Sequence, residues 1–578
     1  MPHIFSELFE LRKLALFPLI LLISSCGGGG GGGSNSPRLN LSPEPATPPQ
    51  NALQPTFDCE DQETDNSRAF TDVTRNVGLC FDGALSPEDS TPARVAGGVA
   101  VTDYNGDGLL DVYITPARNS PGRLFRLEPN GVFTEVTAHA GIHSASTDLG
   151  ALFLDIDQDG WPDLISVQEG PFWLQVYRNL GDGTFIDITE ATGIELTKPS
   201  FSIAAGDYDL DGDLDLFFAH WQHDKKQNRW EYLWQNQNDG TFRDVSDFAE
   251  VGRFKLGFDD QEPQLEFEYS FTPIFADIND DRYPDLLLAS DFNSSQLLIN
   301  SAGSALISNR FGLTDRAGMG AAVADYDNDG DLDWFVSAIG DLREEFLTVS
   351  PIDGNRLHQN DGLGNFTNVT DIAGVRQGFW GWGSCFADFN NDGFQDLFIV
   401  NGHDGLTESE SVNGSSAEFN NDPVKMYINN GDSTFTDRAQ ELGISHTDIG
   451  HGLACYDYDQ DGNIDLLISN NGKAPSLYRN NGFGAGNNFL SVRLRGLNGN
   501  PRAVGARIYL SSAGQEQMRE LQLGNNYVSQ NPVVAHFGLG SDQTVDNLRI
   551  VWPGLEAQEI RLENLEVNQF LTLEHPGL

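Results

Sequence analysis

The sequence predicts an all-β protein: a seven-bladed β-propeller followed by a small C-terminal β domain. Three observations predict it. A nine-residue acidic motif, Asp-x-(Asp/Asn)-x-Asp-Gly-x-x-Asp in its fullest form, occurs seven times, and a short apolar run follows each copy. The copies begin at Asp103, Asp155, Asp207, Asp277, Asp325, Asp388 and Asp457, spaced 48 to 70 residues apart. That is the period of a repeat architecture, not of one domain with a decorated loop. Between copies runs a second block, Leu/Tyr-x-x-Asn, a Gly/Asn/Asp turn, then Phe-x-(Asp/Glu)-(Val/Ile)-Thr. It is clearest at Tyr177–Thr189, Leu233–Ser246, Leu357–Thr370 and Tyr427–Asp437. An Asn/Asp-Gly pair between strand-forming residues is a hairpin signal. Each unit thus offers a strand into the acidic loop, an apolar strand out of it, a hairpin strand and an outer strand. Such a blade buries both faces only in a ring.

The chain opens on a leader. In residues 1–25, Arg12 and Lys13 precede an apolar run, Leu14–Ile23, that is too short to span a bilayer. Ile23, Ser24, Ser25 and Cys26 resemble a bacterial lipoprotein cleavage box, which implies lipidation of Cys26. Gly27, in place of Asp, points by the same analogy to the outer membrane, with the body facing the periplasm or the cell surface. Residues 26–55 carry seven consecutive glycines and then scattered prolines, a composition that buries no core and reads as a tether.

The propeller is expected over residues 56–486. Phe70–Leu79 (FTDVTRNVGL) is an outer-strand block with no acidic loop before it, and the seventh unit lacks such a block after Leu477–Gly482. The N-terminal strand is therefore expected to complete the last blade and close the ring, which leaves no open edge. Five residues before the first Asp stands a glycine in five units, Gly98, Gly150, Gly320, Gly383 and Gly452. A strand with no side chain there admits close approach of another backbone.

The acidic loops read as cation sites. Their candidate ligands are Asp103, Asn105, Asp107 and Asp111; Asp155, Asp157, Asp159 and Asp163; Asp207, Asp209, Asp211 and Asp215; Asp277, Asn279, Asp281 and Asp285; Asp325, Asp327, Asp329 and Asp333; Asp388, Asn390, Asp392 and Asp396; and Asp457, Asp459, Asp461 and Asp465. These groups converge only if the chain turns sharply near position six, where six copies carry glycine and the fourth carries Arg282. Hard oxygen donors suit calcium, and no soft ligand is present for zinc. The following run reads as strand, which excludes a helix-flanked EF-hand. Arg282 makes the fourth site the weakest candidate.

The formal charge is −51, with 85 acidic against 34 basic residues. Such a surface argues against nucleic acid or an anionic bilayer face as partner. Cys59 and Cys80 flank the first folded stretch and are a candidate disulfide in an oxidising compartment. Cys385 and Cys455 lie three and two residues before their loops, offsets that point to opposite faces of an equivalent strand. Two buried thiols and a disulfide are both compatible with them.

The loops resemble the calcium-binding FG-GAP/VCBS repeats of integrin alpha-subunit propellers. Residues 487–578 contain NFLSVRLRG, PRAVGARIYL, RELQLGNNYVSQN, HFGLG and VDNLRIVWPG, and resemble the ASPIC/UnbV module of cartilage acidic protein-like chains. The stretch Gly381–His403 is similar to the same family. The resemblance implies an extracytoplasmic calcium-binding propeller and supplies no catalytic mechanism. Arg507, Ser529, Gln530 and His536 match the module; they either line a recognition site or hydrogen-bond inside a small sandwich.

For function, the sequence holds no Gly-x-Ser-x-Gly elbow, phosphate loop, dinucleotide glycine pattern or His-Glu-x-x-His. An aromatic, polar insertion after the third loop carries His220, Trp221 and His223, and His403 follows the sixth. These are candidate ligand-binding residues beside a packing role. Further insertions span Val251–Ser270, Leu342–Asn355 and Asp404–Asn421. The leading expectation is a surface-anchored binding or adhesion module for a protein or glycan. The alternative is an extracytoplasmic enzyme acting on polysaccharide or a secreted metabolite at the rim or channel.

Overall fold

The computed structural model describes residues 67–81, 91–118, 120–144, 146–170, 173–221, 231–251, 269–291, 293–309, 312–315, 317–340, 354–403, 419, 421–556 and 558–578. The leader, the tether, Cys26, Cys59 and His223 lie outside the described residues.

The protein is all-β. In each unit the first strand runs into an acidic loop and the second begins on the loop's ninth residue: Asp111, Asp163, Asp215, Asp285, Asp333, Asp396 and Asp465. Third and fourth strands follow as the expected hairpin, for example Leu174–Asn179 with Phe185–Asp187. Among the described residues this gives seven four-stranded antiparallel units. Two of them join where Ile339 and Gly340 pair with Trp380 and Phe379. The first strands, Val99–Thr102, Thr147–Leu154, Ile203–Gly206, Ser270–Ala276, Gly318–Ala324, Phe379–Ala387 and Gly450–Tyr456, touch in a closed cycle. The architecture is a β-propeller.

Closure follows the sequence expectation. Phe70–Asp72 pairs antiparallel with Ser476–Asn480, so the seventh unit takes its outer strand from the N-terminal side of the first. The recurring asparagine of the hairpin block stitches neighbouring blades. Asn179, Asn300, Asn360, Asn429 and Asn480 each donate Nδ2 to a carbonyl in the preceding unit's loop, at 2.7–2.8 Å.

Cys385 and Cys455 form a disulfide between the first strands of the sixth and seventh units. Opposite parity brings these sulfurs together, because adjacent blades pack unlike faces against each other. Cys80 is also disulfide-bonded.

The C-terminal domain is a small two-sheet sandwich. One sheet pairs Ala535–Gly540, Asn488–Arg495 and Gln569–Glu574; the other pairs Gln515–Glu520, Arg507–Ser512, Thr544–Val551 and Glu559–Glu566. Leu490, Ile508, Phe537, Leu548 and Trp552 fill the space between them.

Between Glu520 and Ala535 the chain leaves this sandwich and enters the propeller axis. Ala100 bridges Gln530 in parallel, and Ala205 bridges Leu523. The Ser529 hydroxyl accepts the N–H groups of Val99 (3.1 Å) and Leu453 (3.2 Å), which lie on first strands at the two ends of the ring. The Gln530 side chain accepts from Phe153 N–H at 2.7 Å. Tyr527 is fully buried; its hydroxyl donates to the Val95 carbonyl and its ring meets Phe271, Trp382 and His451. Ser529 and Gln530 thus fasten the module to the propeller rather than serving the sandwich interior. The glycine five residues before a loop makes room for another backbone: for the next blade's first strand at Gly320 and Gly383, where an added β-carbon would lie 2.1 Å from Trp382 O and 2.6 Å from His451 O, and for this axial segment at Gly98. A β-carbon on Gly98 would lie 1.8 Å from the Val528 carbonyl oxygen. The third unit carries Ser202 at this place, and its hydroxyl accepts the Val528 N–H at 3.0 Å.

Candidate metal centres and the seam that covers them

Each acidic loop is a small cage built on its own backbone. In the second loop the first carboxylate, Asp155, accepts from the N–H groups of Asp159 (3.2 Å) and Gly160 (3.0 Å). Asp207 and Asp457 repeat the pattern. The sharp turn falls at position six as expected, with left-handed φ from +77° to +101° in all seven loops. Position four is left-handed too, through Gly106, Gln158, Leu210, Asp280, Asn328, Asn391 and Gln460. The sequence reading missed this second turn because only one of those residues is glycine.

The ninth carboxylate is completely buried in every loop. One oxygen accepts from the N–H after the first Asp, the other from the third strand; Asp163 does so with Ile156 (2.9 Å) and Asn179 (2.7 Å). The third carboxylate is divided differently. Gln235 holds one oxygen of Asp209, Gln359 one of Asp327, and Arg479 one of Asp459. The second oxygen of each, and Oδ1 of Asp157, is buried with no hydrogen-bond partner.

Four loops bring carboxylate oxygens of positions one, three and nine within 4.8 Å of one another: Asp155, Asp157 and Asp163; Asp207, Asp209 and Asp215; Asp325, Asp327 and Asp333; Asp457, Asp459 and Asp465. Burial, and behind it repulsion between neighbouring carboxylates, raises their pKa values. Asp155 rises to about 6, Asp207, Asp325 and Asp457 to about 7, and Asp163 to about 8. Unpartnered buried oxygens among mutually repelling carboxylates are a donor set that a hard divalent cation fits. Calcium would be held by these side chains and would supply charge neutralisation and cross-linking of each loop. In the first and sixth loops Asn105 and Asn390 turn their amides toward Asp107 and Asp392, at 3.1 and 2.9 Å.

The sandwich sits over this loop face. His536 Nε2 lies 2.6 Å from Asn391 Oδ1, and the Asn391 carbonyl accepts the Gly540 N–H at 2.8 Å. Arg507 reaches the fourth loop, where Nη1 lies 2.8 Å from Asp280 Oδ1. Between module and loops lies a cavity of about 270 Å³ lined by Asp325, Asp388, Asp457, Arg519, Gln522 and His536, among others. Arg507 and His536 are therefore seam residues.

The rim candidates lie elsewhere. His220 is buried, with Nδ1 3.0 Å from the Pro199 carbonyl and 3.1 Å from Ser200 Oγ. Trp221 stacks on Phe271 at 5.7 Å, and His403 lies on Trp380 at 3.9 Å. The strands that flank the four insertions end on the side of the blades opposite the acidic loops, and the bulk of each insertion lies outside the described residues.

Fold and site define a β-propeller with repeated acidic loops, covered by a sandwich module that plugs its axis. The chain belongs to the FG-GAP-like repeat family, whose model matches residues 103–166, 155–218, 277–336, 339–399 and 411–468, and it ends in an ASPIC and UnbV domain at 496–577. Cartilage acidic protein 1 of Mus musculus is 24% identical over 538 residues, spanning 88% of this chain and 77% of the relative. The Homo sapiens protein of that name is 23% identical over 541 residues, 88% and 75% of the two chains. Among solved structures, YCF48 from Cyanidioschyzon merolae aligns at TM-score 0.39 and 8% identity, covering 71% of this chain and 98% of its own. BBS1N, solved in complex with ARL6DN, aligns at TM-score 0.38 and 11% identity, covering 70% and 97%. Scores this low add nothing to the topology described above.

Proposed function

We propose that the protein is a surface-anchored, calcium-binding propeller that acts as a binding or adhesion module for an extracellular protein or glycan. In this reading Cys26 carries the lipid of a bacterial outer-membrane lipoprotein, and the tether lets the body stand off the bilayer. The observation that carries the reading is the division of the propeller's two ends. One end and the axis are filled by the chain's own C-terminal module. At the other end lie the strand ends that flank the insertions, and loops mounted on a rigid scaffold are where binding specificity resides. The disulfide between Cys385 and Cys455 suits an oxidising compartment. Among the described residues no helix is long and apolar enough to cross a membrane.

The test is a screen of the full chain against glycans and secreted proteins, with calcium and with chelator. Calcium-dependent capture of a defined ligand, lost when the 222–230 or 404–418 insertion is replaced by a short Gly/Ser linker, is the expected result. No ligand in either class would sink the binding reading. Membrane fractionation of Cys26→Ser tests the anchor, which predicts release into the soluble fraction.

A further inference from the structure

The fourth loop departs from its siblings, and its surroundings explain how. Arg282 replaces the position-six glycine and adopts φ +77°, a left-handed conformation that costs a non-glycine residue about 1–2 kcal/mol. Its guanidinium leaves the loop and donates Nη1 to the Leu555 carbonyl of the module at 2.7 Å. Position three is Asn279, so positions one, three, five and nine of this loop carry three carboxylates, against four in the second, third, fifth and seventh loops. Arg507 reaches this loop from the module. Its Nη2 donates to the Asp277 carbonyl and lies 3.5 Å from Asp277 Oδ2, its Nη1 pairs with Asp280, and its Nε pairs with Glu520 at 2.9 Å. Glu520 in turn accepts the Asp277 N–H at 3.3 Å. Both backbone polar groups of Asp277 are thus tied to the module.

Arg507 is almost buried, with 12% of its side chain exposed, and Glu520 is more so at 2%. A fixed guanidinium delivers charge and two donor directions, whereas an ion needs every carboxylate turned inward.

We infer that Arg507 is the resident cation of the fourth loop: the loop holds no calcium and instead latches the C-terminal module to the propeller. This rests on the reading that the intact loops bind calcium. The loop would then serve as a joint between domains, fixed by the chain itself while the other loops respond to the metal.

Calcium stoichiometry after equilibrium dialysis of the full chain, for wild type, Arg507→Gln and Arg507→Lys, tests this, together with a thermal double-mutant cycle between Arg507→Gln and Asp277→Asn. The expected result is no more than six calcium ions per wild-type chain, one more in Arg507→Gln than in wild type, and no gain in Arg507→Lys. The Arg507–Asp277 coupling should persist in calcium and in chelator alike. Seven ions in wild type, or a coupling that vanishes when calcium is added, would overturn the inference. No calcium in any variant would instead sink the calcium reading, and the coupling measured in chelator would still decide whether Arg507 holds the loop. Where Arg507→Gln fails to fold, Arg507→Lys keeps the charge and supplies the coupling.

Discussion

Replacing Gly98 with alanine should unseat the axial segment. The new β-carbon would lie 1.8 Å from the Val528 carbonyl oxygen and 2.8 Å from its carbonyl carbon. A carbon approaches a carbonyl oxygen to about 3.3 Å, so the two backbones must part by about 1.5 Å. Both are pinned: Gly98 N–H donates to Thr115 O at 3.1 Å, Gln530 N–H to Val99 O at 2.8 Å, and Val101 N–H to Gln530 O at 3.2 Å. Overpacking costs about 1–3 kcal/mol, and one or two strained hydrogen bonds add about 1 kcal/mol each, for roughly 2–5 kcal/mol in total. Gly183→Ala is the control. Gly183 has φ +85° with nothing within 4 Å of the point an added methyl would occupy, so only left-handed strain of about 1–2 kcal/mol applies. Scanning calorimetry of the calcium-loaded full chains gives the comparison, and limited proteolysis reports whether the module has come loose. Gly98→Ala should melt well below Gly183→Ala and become cleavable near residue 487. Equal melting temperatures and equal protease resistance in the two variants would refute the close-approach argument.

Chelation at fixed ionic strength should lower Tm, because a bound ion stabilises only the folded chain, by about 2.7 kcal/mol for each site held at a hundred times its Kd; an unchanged Tm with metal loss verified would contradict this. In the metal-free chain, Asp111 and Asp285 rise from 3.8 to about 8 and Asp388 to about 7, chiefly through burial. The folded state therefore binds more protons than the unfolded one over that window, and Tm in chelator should fall as pH rises from about 4 to 8. With calcium bound the fall should shrink, since the metal replaces the protons; matching slopes in both series would refute it. Asn480→Ala removes donations to Phe389 O (2.8 Å) and Ile464 O (3.2 Å) and the acceptor for the Gly482 and Phe483 N–H groups (both 3.1 Å). Stranding such buried groups should cost about 3 kcal/mol or more, against a few tenths for the exposed turn residue Asn430→Ala, as read by calorimetry.

Much of the architecture is legible because its signals are local and repeated. The acidic turn, the apolar strand behind it and the Asn-Gly hairpin recur in one register, and the missing outer strand at one end answers the spare one at the other. The glycines before the loops are legible as a need for space, though not as to what fills it. At Gly320 and Gly383 the neighbouring blade's backbone fills it, and at Gly98 the axial stretch Leu521–Asn531 does, whose polar residues and glycine read as a turn. Its partners, Val99, Ser202 and Leu453, lie 430, 326 and 76 residues away. The same distance hides Arg507, whose counter-charges Asp277 and Asp280 belong to a loop more than 200 residues earlier. Cys385 and Cys455 stay ambiguous in the sequence for a related reason: their parity is visible there, but the rule that unlike faces of adjacent blades meet belongs to the ring.

The closing strand also sets the order in which the molecule can be made. The Thr74 hydroxyl accepts the Leu477 N–H across 403 residues of chain, so the first strand to emerge waits for nearly the last unit. Contacts of such sequence separation form late, after the entropy of a very long loop has been overcome. Until then the nascent ring exposes an unpaired edge at each end and an empty axis, the kind of surface that draws chains into aggregates. A molecule of this design is expected to be far more prone to aggregation while it folds than its closed state is.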